Sequence, residues 1–269
     1  MKHQLPNGLE LYYEVLGKAE ATQTMIFLNG LSQSTGAWAG VVYALSKKYR
    51  LVLVDLLSQG QSDAAGGLYT FEHHAADLAH FLRALQLQNT IIVGISFGGA
   101  VAQRLLVNHP ELVQAGVLLS TFAQKDAYFE AVVSGWEQAL RAGGYPLLLE
   151  VMLPLVLGRS YIQKPIISLE NLKSSKANKS LQTYKLLEMF QTIKASQPYL
   201  EELKKVRLPV LVVQGEEDML CAVEMGEAMA QALPNGELQV LEKAGHTLNL
   251  EKVPQLTKLL DAFAEKLKV

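Results

Sequence analysis

Short, unbroken apolar runs recur along the first half of the chain, and they constrain the fold more than any other feature. The runs are Thr24–Leu28, Leu51–Val54, Thr90–Val93 and Val117–Leu119. Strands with one face in water alternate apolar and polar residues, whereas strands covered on both faces of a parallel sheet read as solid apolar runs. Helical spacing of apolar residues fills segments 71–87 and 97–108 between these runs. This alternation predicts the α/β class, with a mostly parallel central sheet flanked by helices.

The alternation stops after residue 121 and resumes near residue 209. The intervening segment has no clear strand pattern and predicts helices at Ala127–Ala142, Tyr145–Leu157 and Leu181–Lys194. Strand and helix patterns then return at 210–213, 222–232, 238–241 and 254–267. We therefore expect a core domain made of residues 1–121 and 209–269. We also expect a helical cap of residues 122–208, inserted before the last two strands, that covers the edge where α/β sheets bind ligands.

Composition and charge exclude several classes of function. The 269 residues are 49% hydrophobic, and a net charge of −2 leaves no basic excess for nucleic acid or an anionic membrane surface. Cys221 is the only cysteine, so an intrachain disulfide is impossible and a cysteine-based zinc site is disfavoured. The N-terminus lacks the apolar stretch of a signal peptide, and no apolar run reaches the ~18 residues that span a bilayer. We expect a cytoplasmic monomer or homodimer without a nucleic-acid partner or stable membrane insertion.

The segment Gly94-Ile95-Ser96-Phe97-Gly98 matches the G-x-S-x-G pattern of a nucleophile placed on a strand-to-helix turn. The apolar run before it reads as a strand, and the residues after it read as a helix. Small residues two positions either side of the apex let strand and helix approach closely. The apex then stands at a helix N-terminus, where free N–H groups and the helix dipole favour developing negative charge. We expect Ser96 to be the nucleophile and the N–H of Phe97 to be an oxyanion donor.

A serine nucleophile needs a base, and only two histidines follow Ser96. His109 ends the helix that Ser96 begins, which places it about 20 Å away at 1.5 Å per residue. His246 directly follows the last predicted strand and therefore lies at the same sheet edge as Ser96. We expect His246 to be the general base.

The acid that orients the base should follow the preceding strand. Glu216, Glu217 and Asp218 all come after the run Val210–Val213. Asp218 is the preferred candidate because it lies far enough past Gly215 for the loop to turn back toward a histidine. Glu217 is the alternative, and Asp126, after an earlier strand, is less favoured.

A second oxyanion donor should come from the loop after the strand at 24–28. Gly30 permits a backbone turn there, and the N–H of Leu31 is the expected donor, although a tight structural turn accounts for Gly30 equally well. Ser32 or Ser34 could add a hydroxyl.

Substrate contacts are expected from this loop, from the cap and from the loop that carries the acid. The candidates are Asn29, Gly30, Ser32, Met152, Leu153 and Met219. The leucine, valine and methionine content of the cap fits an apolar acyl or alkyl group. Packing of the cap onto the core explains the same residues equally well.

With these residues in hand, the sequence resembles the α/β-hydrolase superfamily over nearly its whole length, and most of all its small cytoplasmic serine esterases with a helical cap. Asp55-Leu56-Leu57-Ser58-Gln59-Gly60-Gln61-Ser62 resembles the family loop D-x-x-G-x-G-x-S, with Ser58 in place of the first glycine. The segment 245–254 resembles the family's surroundings of the catalytic histidine. Asn29-Gly30 stands where most members have His-Gly. The resemblance implies no metal and no organic cofactor.

A second resemblance, to the hydroxyacyl transferase of rhamnolipid synthesis, is carried by Asn29-Gly30, by Gln59-Gly60-Gln61-Ser62 and by Pro198-Tyr199-Leu200. It implies acyl transfer to a hydroxyl rather than to water. The favoured hypothesis is a carboxylesterase acting on apolar esters of small to medium size. The alternatives are a thioesterase or acyltransferase with the same three residues, a cofactor-free haloperoxidase or perhydrolase, and a non-enzymatic ligand sensor of the same fold.

Overall fold

One eight-stranded sheet organises the molecule, in the order β1-β2-β4-β3-β5-β6-β7-β8. The computed structural model describes residues 1–174 and 182–267. Residues 175–181 of the predicted cap, with the expected first residue of its third helix, and residues 268–269 lie outside the described residues. The strands are β1 (Lys2–Gln4), β2 (Glu10–Gly17), β3 (Thr24–Leu28), β4 (Arg50–Asp55), β5 (Thr90–Ile95), β6 (Ala115–Leu119), β7 (Val210–Gly215) and β8 (Gly236–Leu241).

The sheet is parallel from β4 to β8 and antiparallel only at its first edge. The pairs β1–β2 and β2–β4 are antiparallel, and all other neighbours are parallel. The predicted mostly parallel sheet is therefore confirmed. Strand β1 was not predicted, because its three polar residues, two of them exposed, carry no apolar pattern. It pairs with β2 through a turn in which Gly8 has a φ of +86°, a value that favours glycine.

Helices cover both faces of the sheet, as the solid apolar runs predict. The helices are α1 (Ala39–Leu45), α2 (Phe71–Leu85), α3 (Phe97–Asn108), α4 (Ala127–Val156), α5 (Arg159–Gln163), α6 (Leu169–Ser174), α7 (Thr183–Ala195), α8 (Leu200–Leu203), α9 (Val223–Ala232), α10 (Leu248–Glu251) and α11 (Val253–Lys266). The side chains of successive residues in β3 point to opposite faces of the sheet. Met25 and Phe27 pack in the cluster that includes residues of α1 and α11, whereas Ile26 packs in the cluster that includes residues of α2, α3 and α9.

Between β6 and β7 the described residues form helices joined by short loops, with no strand among them, and we call residues 122–208 the helical segment. Its first helix, α4, is bent at Gly143 and Gly144, and Gly144 has a φ of +66°. The sequence predicts two helices with a break at this place, which is where the bend occurs. By length and composition alone, α4 is the one helix in the two described ranges that could cross a membrane. That this segment acts as a cap stays a prediction.

Polar contacts from α7 tie the helical segment to the loop after β4. The carboxylate of Glu188 accepts hydrogen bonds from the N–H groups of Ala65 and Gly66, each at 3.1 Å, and from the hydroxyl of Ser58. The ammonium group of Lys185 donates to the carbonyl oxygen of Ser62 at 2.6 Å. The helical segment is therefore fastened to the core on the side of the β4 loop.

Candidate active site

Ser96 occupies the sharp turn between β5 and α3. Its φ of 52° and ψ of −114° lie in a region that non-glycine residues rarely adopt. A methyl group built on Gly94 would lie 2.4 Å from the carbonyl oxygen of Gly98, and one built on Gly98 would lie 2.5 Å from that of Leu28. Both positions of the motif therefore require glycine, because any side chain would collide with main-chain atoms.

The main chain of Ser96 is held by the neighbouring strand and by the loop that follows it. Its N–H donates to the carbonyl oxygen of Leu119 at 2.9 Å, and its own carbonyl oxygen accepts from the hydroxyl of Thr121 at 2.7 Å. A methyl group built on Gly99 would lie 2.6 Å from Cβ of Thr121. These contacts hold the turn in its uncommon conformation, while the residue itself stays partly exposed.

Asp218 and His246 are in direct contact at the carboxyl edge of the sheet. Nδ1 of His246 lies 2.8 Å from Oδ2 of Asp218, and both side chains are buried. The other carboxylate oxygen accepts from the N–H groups of Leu220 at 2.9 Å and Cys221 at 2.8 Å. An ionised carboxylate can only accept, so an ionised Asp218 would place the proton on Nδ1 and leave Nε2 as the accepting nitrogen.

The other carboxylates near these strands have different partners. Glu217 accepts from the N–H of Ser160 at 2.7 Å and from its hydroxyl at 2.6 Å, and these hydrogen bonds lower the pKa of Glu217. Glu216 accepts from the N–H of Lys243 at 2.8 Å. Asp126 caps the start of α4 by accepting from the N–H of Phe129 at 2.7 Å.

The loop after β3 lies beside the serine turn and contacts α10, the helix that follows His246. A methyl group built on Gly30 would lie 3.5 Å from Cβ of Ser96. The N–H of Gly30 donates to Oε1 of Gln33 at 3.1 Å, and Gln33 also contacts Asn249, three residues after His246. These contacts join the start of α10, three residues after His246, to the loop that lies beside Ser96.

Two main-chain donors near this turn have no acceptor. Within residues 1–174 and 182–267, the N–H groups of Leu31 and Phe97 donate to no protein atom. Leu31 follows β3 and Phe97 begins α3, so both come from the elements that surround Ser96. Unpaired donors at such a place are available to an anion.

Asn29 is buried below the surface at the start of the loop after β3, and its expected contact with substrate stays a prediction. Its side chain is completely buried, with Nδ2 donating to the carbonyl oxygen of Val54 at 3.0 Å and to Oδ1 of Asp55 at 2.9 Å. Its Oδ1 accepts from the indole N–H of Trp38 at 2.9 Å. Asn29 therefore fixes the start of the loop that carries Gly30 and Leu31.

Gln59 supports the same loop from the segment that resembles the family loop after β4. Its Nε2 donates to the carbonyl oxygen of Gly30 at 3.0 Å, and its Oε1 accepts from the N–H of Leu56 at 3.1 Å. The side chain of Gln59 is buried.

Asp55, at the end of β4, is buried as well. Its burial raises the pKa of its carboxyl group, and the hydrogen bonds from neighbouring N–H groups oppose that effect.

The remaining predicted contact residues occupy different surroundings. The hydroxyl of Ser32 hydrogen-bonds Tyr145 of the helical segment, and Ser32 has a φ of 60°. Met152 and Leu153 are buried within α4. Met219 is exposed and lines a surface depression of about 520 Å³, together with Pro154, Leu157, Arg159, Ile162, Gln163 and Glu217.

Sequence reasoning did not find Tyr145, Gln33 or a role for Glu251. The carboxylate of Glu251 accepts from the N–H groups of Gly245 and Thr247, on either side of His246. Its place in the segment that resembles the family's histidine region was the one available signal. In the ranges that the structure describes, no group of three or more His, Cys, Asp or Glu side chains is arranged to hold a metal ion.

Comparison with known proteins assigns the chain to a family. A family model described as an alpha/beta hydrolase fold matches residues 23–253. The chain therefore belongs to the α/β-hydrolase family. It is 27% identical to the uncharacterized hydrolase YugF of Bacillus subtilis over 263 residues, which cover 93% of this chain and 92% of that protein.

One of the similar sequences and one of the similar structures belong to proteins that are named as esterases. The pimeloyl-[acyl-carrier protein] methyl ester esterase of Aeromonas hydrophila is 27% identical over 246 residues, covering 89% of this chain and 94% of its own. The structure of a thermophilic esterase from Thermogutta terrifontis superposes with a TM-score of 0.89 at 22% identity, over 100% of both chains. At that identity the superposition establishes the fold alone.

Proposed function

We propose that this protein is a serine hydrolase that cleaves carboxylic ester bonds of small to medium apolar substrates through an acyl-enzyme on Ser96. The observation that carries the proposal is the 2.8 Å contact between His246 and Asp218, at the same sheet edge as the strained turn of Ser96. A buried acid that orients an imidazole, next to a serine on a strand-to-helix turn, is the arrangement that activates a hydroxyl.

The reaction proceeds in two steps. Oγ of Ser96 attacks the ester carbonyl carbon while its proton passes to Nε2 of His246, and Asp218 stabilises the imidazolium. The negative carbonyl oxygen is bound by the N–H groups of Leu31 and Phe97, each worth ~3 kcal/mol in such sites. The ester C–O bond breaks, and the alcohol leaves with the proton from His246. Water then adds to the acyl carbon as His246 takes its proton, the bond to Oγ breaks as His246 returns that proton to Ser96, and the carboxylic acid is released.

Two further observations support ester bonds and apolar groups. The similar sequences include a protein named as a methyl ester esterase. Met152, Leu153 and Leu149 of the helical segment, which we propose as the cap, are buried in one of the two apolar clusters, and we propose that this cluster adjoins the acyl pocket. An apolar lining favours acyl or alkyl groups over charged ones.

The test uses p-nitrophenyl esters of increasing chain length, acyl-thioesters and a fluorophosphonate probe. Wild type should be labelled once and should hydrolyse the esters, while Ser96→Ala should lose labelling and at least about 10³-fold in turnover. Ser46→Ala is the matched control, because Ser46 lies between α1 and β4, toward the opposite sheet edge. It should behave as wild type.

Other outcomes separate the alternatives. Faster turnover of thioesters than of matched esters would favour a thioesterase. Transfer to an added hydroxyacyl acceptor that outpaces hydrolysis would favour the acyltransferase. An unlabelled wild type without turnover would leave the ligand sensor as the better reading, and equal turnover in Ser96→Ala would end the serine mechanism.

A further inference from the structure

The carboxylate of Glu251 lies buried between the loop that carries His246 and the end of α4. Oε2 accepts from the N–H groups of Gly245 at 2.8 Å and Gly158 at 3.0 Å. Oε1 accepts from the N–H of Thr247 at 3.1 Å and from its hydroxyl at 2.8 Å. No Lys, Arg or His side chain of the described ranges forms an ion pair with Glu251. Four hydrogen-bond donors therefore replace the water that an ionised carboxylate loses on burial.

These donors lie on both sides of the proposed base. Gly245 and Thr247 flank His246 directly, so one side chain fixes the main chain before and after the imidazole. The N–H of His246 itself donates to the carbonyl oxygen of Val156 at 2.9 Å, and Val156 is the last residue of α4. The main chain of His246 is thus held by Glu251 and by the helical segment together.

The helical segment meets this loop main chain to main chain. A methyl group built on Gly245 would lie 2.1 Å from the nitrogen of Gly158. One built on Gly158 would lie 2.7 Å from the nitrogen of Gly245 and 2.9 Å from Oε2 of Glu251. The two glycines therefore lie main chain against main chain, and Glu251 binds both.

We propose that Glu251 is a positioning residue for His246, and that it couples the position of the His246 imidazole to the position of the end of α4. This proposal rests on the proposed function. Glu251 acts through the main chain, since Nδ1 of His246 is already taken by Asp218. In a glutamine at this position, one of the two accepting oxygens is replaced by an NH₂ group that faces donors. The loop must then shift, and a shift of about 1 Å in a reacting group costs about 10²-fold in rate.

The decisive variant is Glu251→Gln, with Glu188→Gln as its matched control. Glu188 also accepts from main-chain N–H groups and also joins the helical segment to the core, but on the side of the β4 loop. Labelled sites are counted with the fluorophosphonate probe, so that unfolded protein does not enter kcat. We expect Glu251→Gln to lower kcat per labelled site, and the rate constant of labelling, by about 10- to 100-fold with KM nearly unchanged. In Glu188→Gln, kcat per labelled site and the rate constant of labelling should stay within about twofold of wild type. This should hold even if its melting temperature falls as much as that of Glu251→Gln.

Two milder variants cover the case in which Glu251→Gln does not fold. Thr247→Val removes only the hydroxyl that donates to Oε1, and Thr247→Ser retains it. The valine variant should lose kcat and the serine variant should recover it. Gly158→Ala tests the contribution of the helical segment and should lower kcat per site as well, because its methyl group would push against Gly245 and Glu251.

The failures of the two proposals are distinguishable. If wild type turns over esters and Ser96→Ala does not, the proposed function stands. If kcat per labelled site is then unchanged in Glu251→Gln, Glu251 has a purely structural role. If Glu251→Gln does not fold, an unchanged kcat per labelled site in Thr247→Val leads to the same conclusion. An equal loss of kcat in Glu188→Gln would overturn the inference in the same way.

Discussion

The indole N–H of Trp38 donates to Oδ1 of Asn29 at 2.9 Å, in the interior of the protein. The same asparagine donates through Nδ2 to the carbonyl oxygen of Val54 and to the carboxylate of Asp55. One small amide therefore connects Trp38, the residue just before α1, with the end of β4 and with the loop of Gly30 and Leu31.

Asn29→Ala should lower both stability and activity. The substitution leaves the indole N–H, a main-chain carbonyl and a buried carboxylate without this partner, so the free energy of unfolding should fall by about 2–4 kcal/mol. Urea denaturation measures this loss. Asn235→Ala, which removes one exposed hydrogen bond to the carbonyl oxygen of Arg207, should cost less than about 1 kcal/mol. Equal losses in the two variants would contradict the assigned role of Asn29.

Asp218→Asn should leave the fold intact and remove most of the activity. An amide in place of the carboxylate no longer holds the proton on Nδ1 of His246 or stabilises the imidazolium. We expect kcat to fall by about 10⁴-fold. Glu217→Gln, next in the chain but bound to Ser160, should lose less than about tenfold. Steady-state kinetics on one p-nitrophenyl ester decide between them, and the reverse order would make Glu217 the acid.

The buried imidazole of His74 should make the fold less stable in acid. Complete burial lowers the pKa of His74 to about 3, from an ordinary value of 6.5. Below pH 6.5 the imidazole of His74 therefore binds a proton in the unfolded chain, whereas in the folded chain it does so only near pH 3. The titration of His74 therefore does not reduce the free energy of unfolding above pH 6.5. Below pH 6.5 it lowers that free energy by about 1.4 kcal/mol per pH unit.

The variant His74→Leu isolates this effect, because it removes the titrating group from a site packed against the rings of Tyr69 and Phe97. Urea denaturation at pH 7, 6, 5 and 4.5 should give a difference in unfolding free energy that shifts in favour of the variant as the pH falls. A difference that stays constant over this range would mean that His74 titrates alike in both states.

Cys221 should be unreactive in the folded protein. Burial raises the pKa of its thiol, and the nearby negative charges of Asp218 and Asp126 act in the same direction. Because the thiolate is the reactive form, an aromatic disulfide reagent should modify no thiol in the native state and one per chain in denaturant. The sequence contains no other cysteine, so the count is unambiguous. Rapid modification of the native protein would contradict this burial.

Local patterns predict the parts of this molecule that depend on local geometry. The solid run at 90–93 marks a strand buried on both faces, and the glycines around Ser96 mark a turn that excludes side chains. The break between residues 142 and 145 is likewise visible, because Gly143 and Gly144 interrupt an apolar helical pattern. Each of these features is decided by residues a few positions apart.

Features that depend on distant residues could not be read in this way. The sequence places Asn29 in a loop, but its burial depends on Trp38, Val54 and Asp55 converging on one amide. The choice between Glu217 and Asp218 depends on which side chain faces the loop after β8. Tyr145 and Ser32 lie more than a hundred positions apart, and no periodic pattern joins them.

The main-chain contact between Gly158 and Gly245 sets the boundary at which this protein could exchange its helical segment with that of a relative. A graft that ends before Val156 keeps the carbonyl group that holds His246 and the glycine that fits against the loop after β8. A graft that extends through residue 158 replaces both, and a donor without glycine there would displace the loop. Under the proposed cap role, substitutions in the earlier part of α4 and in α7 can change substrate preference, while residues 156–158 must be kept for the loop of His246 to hold its place.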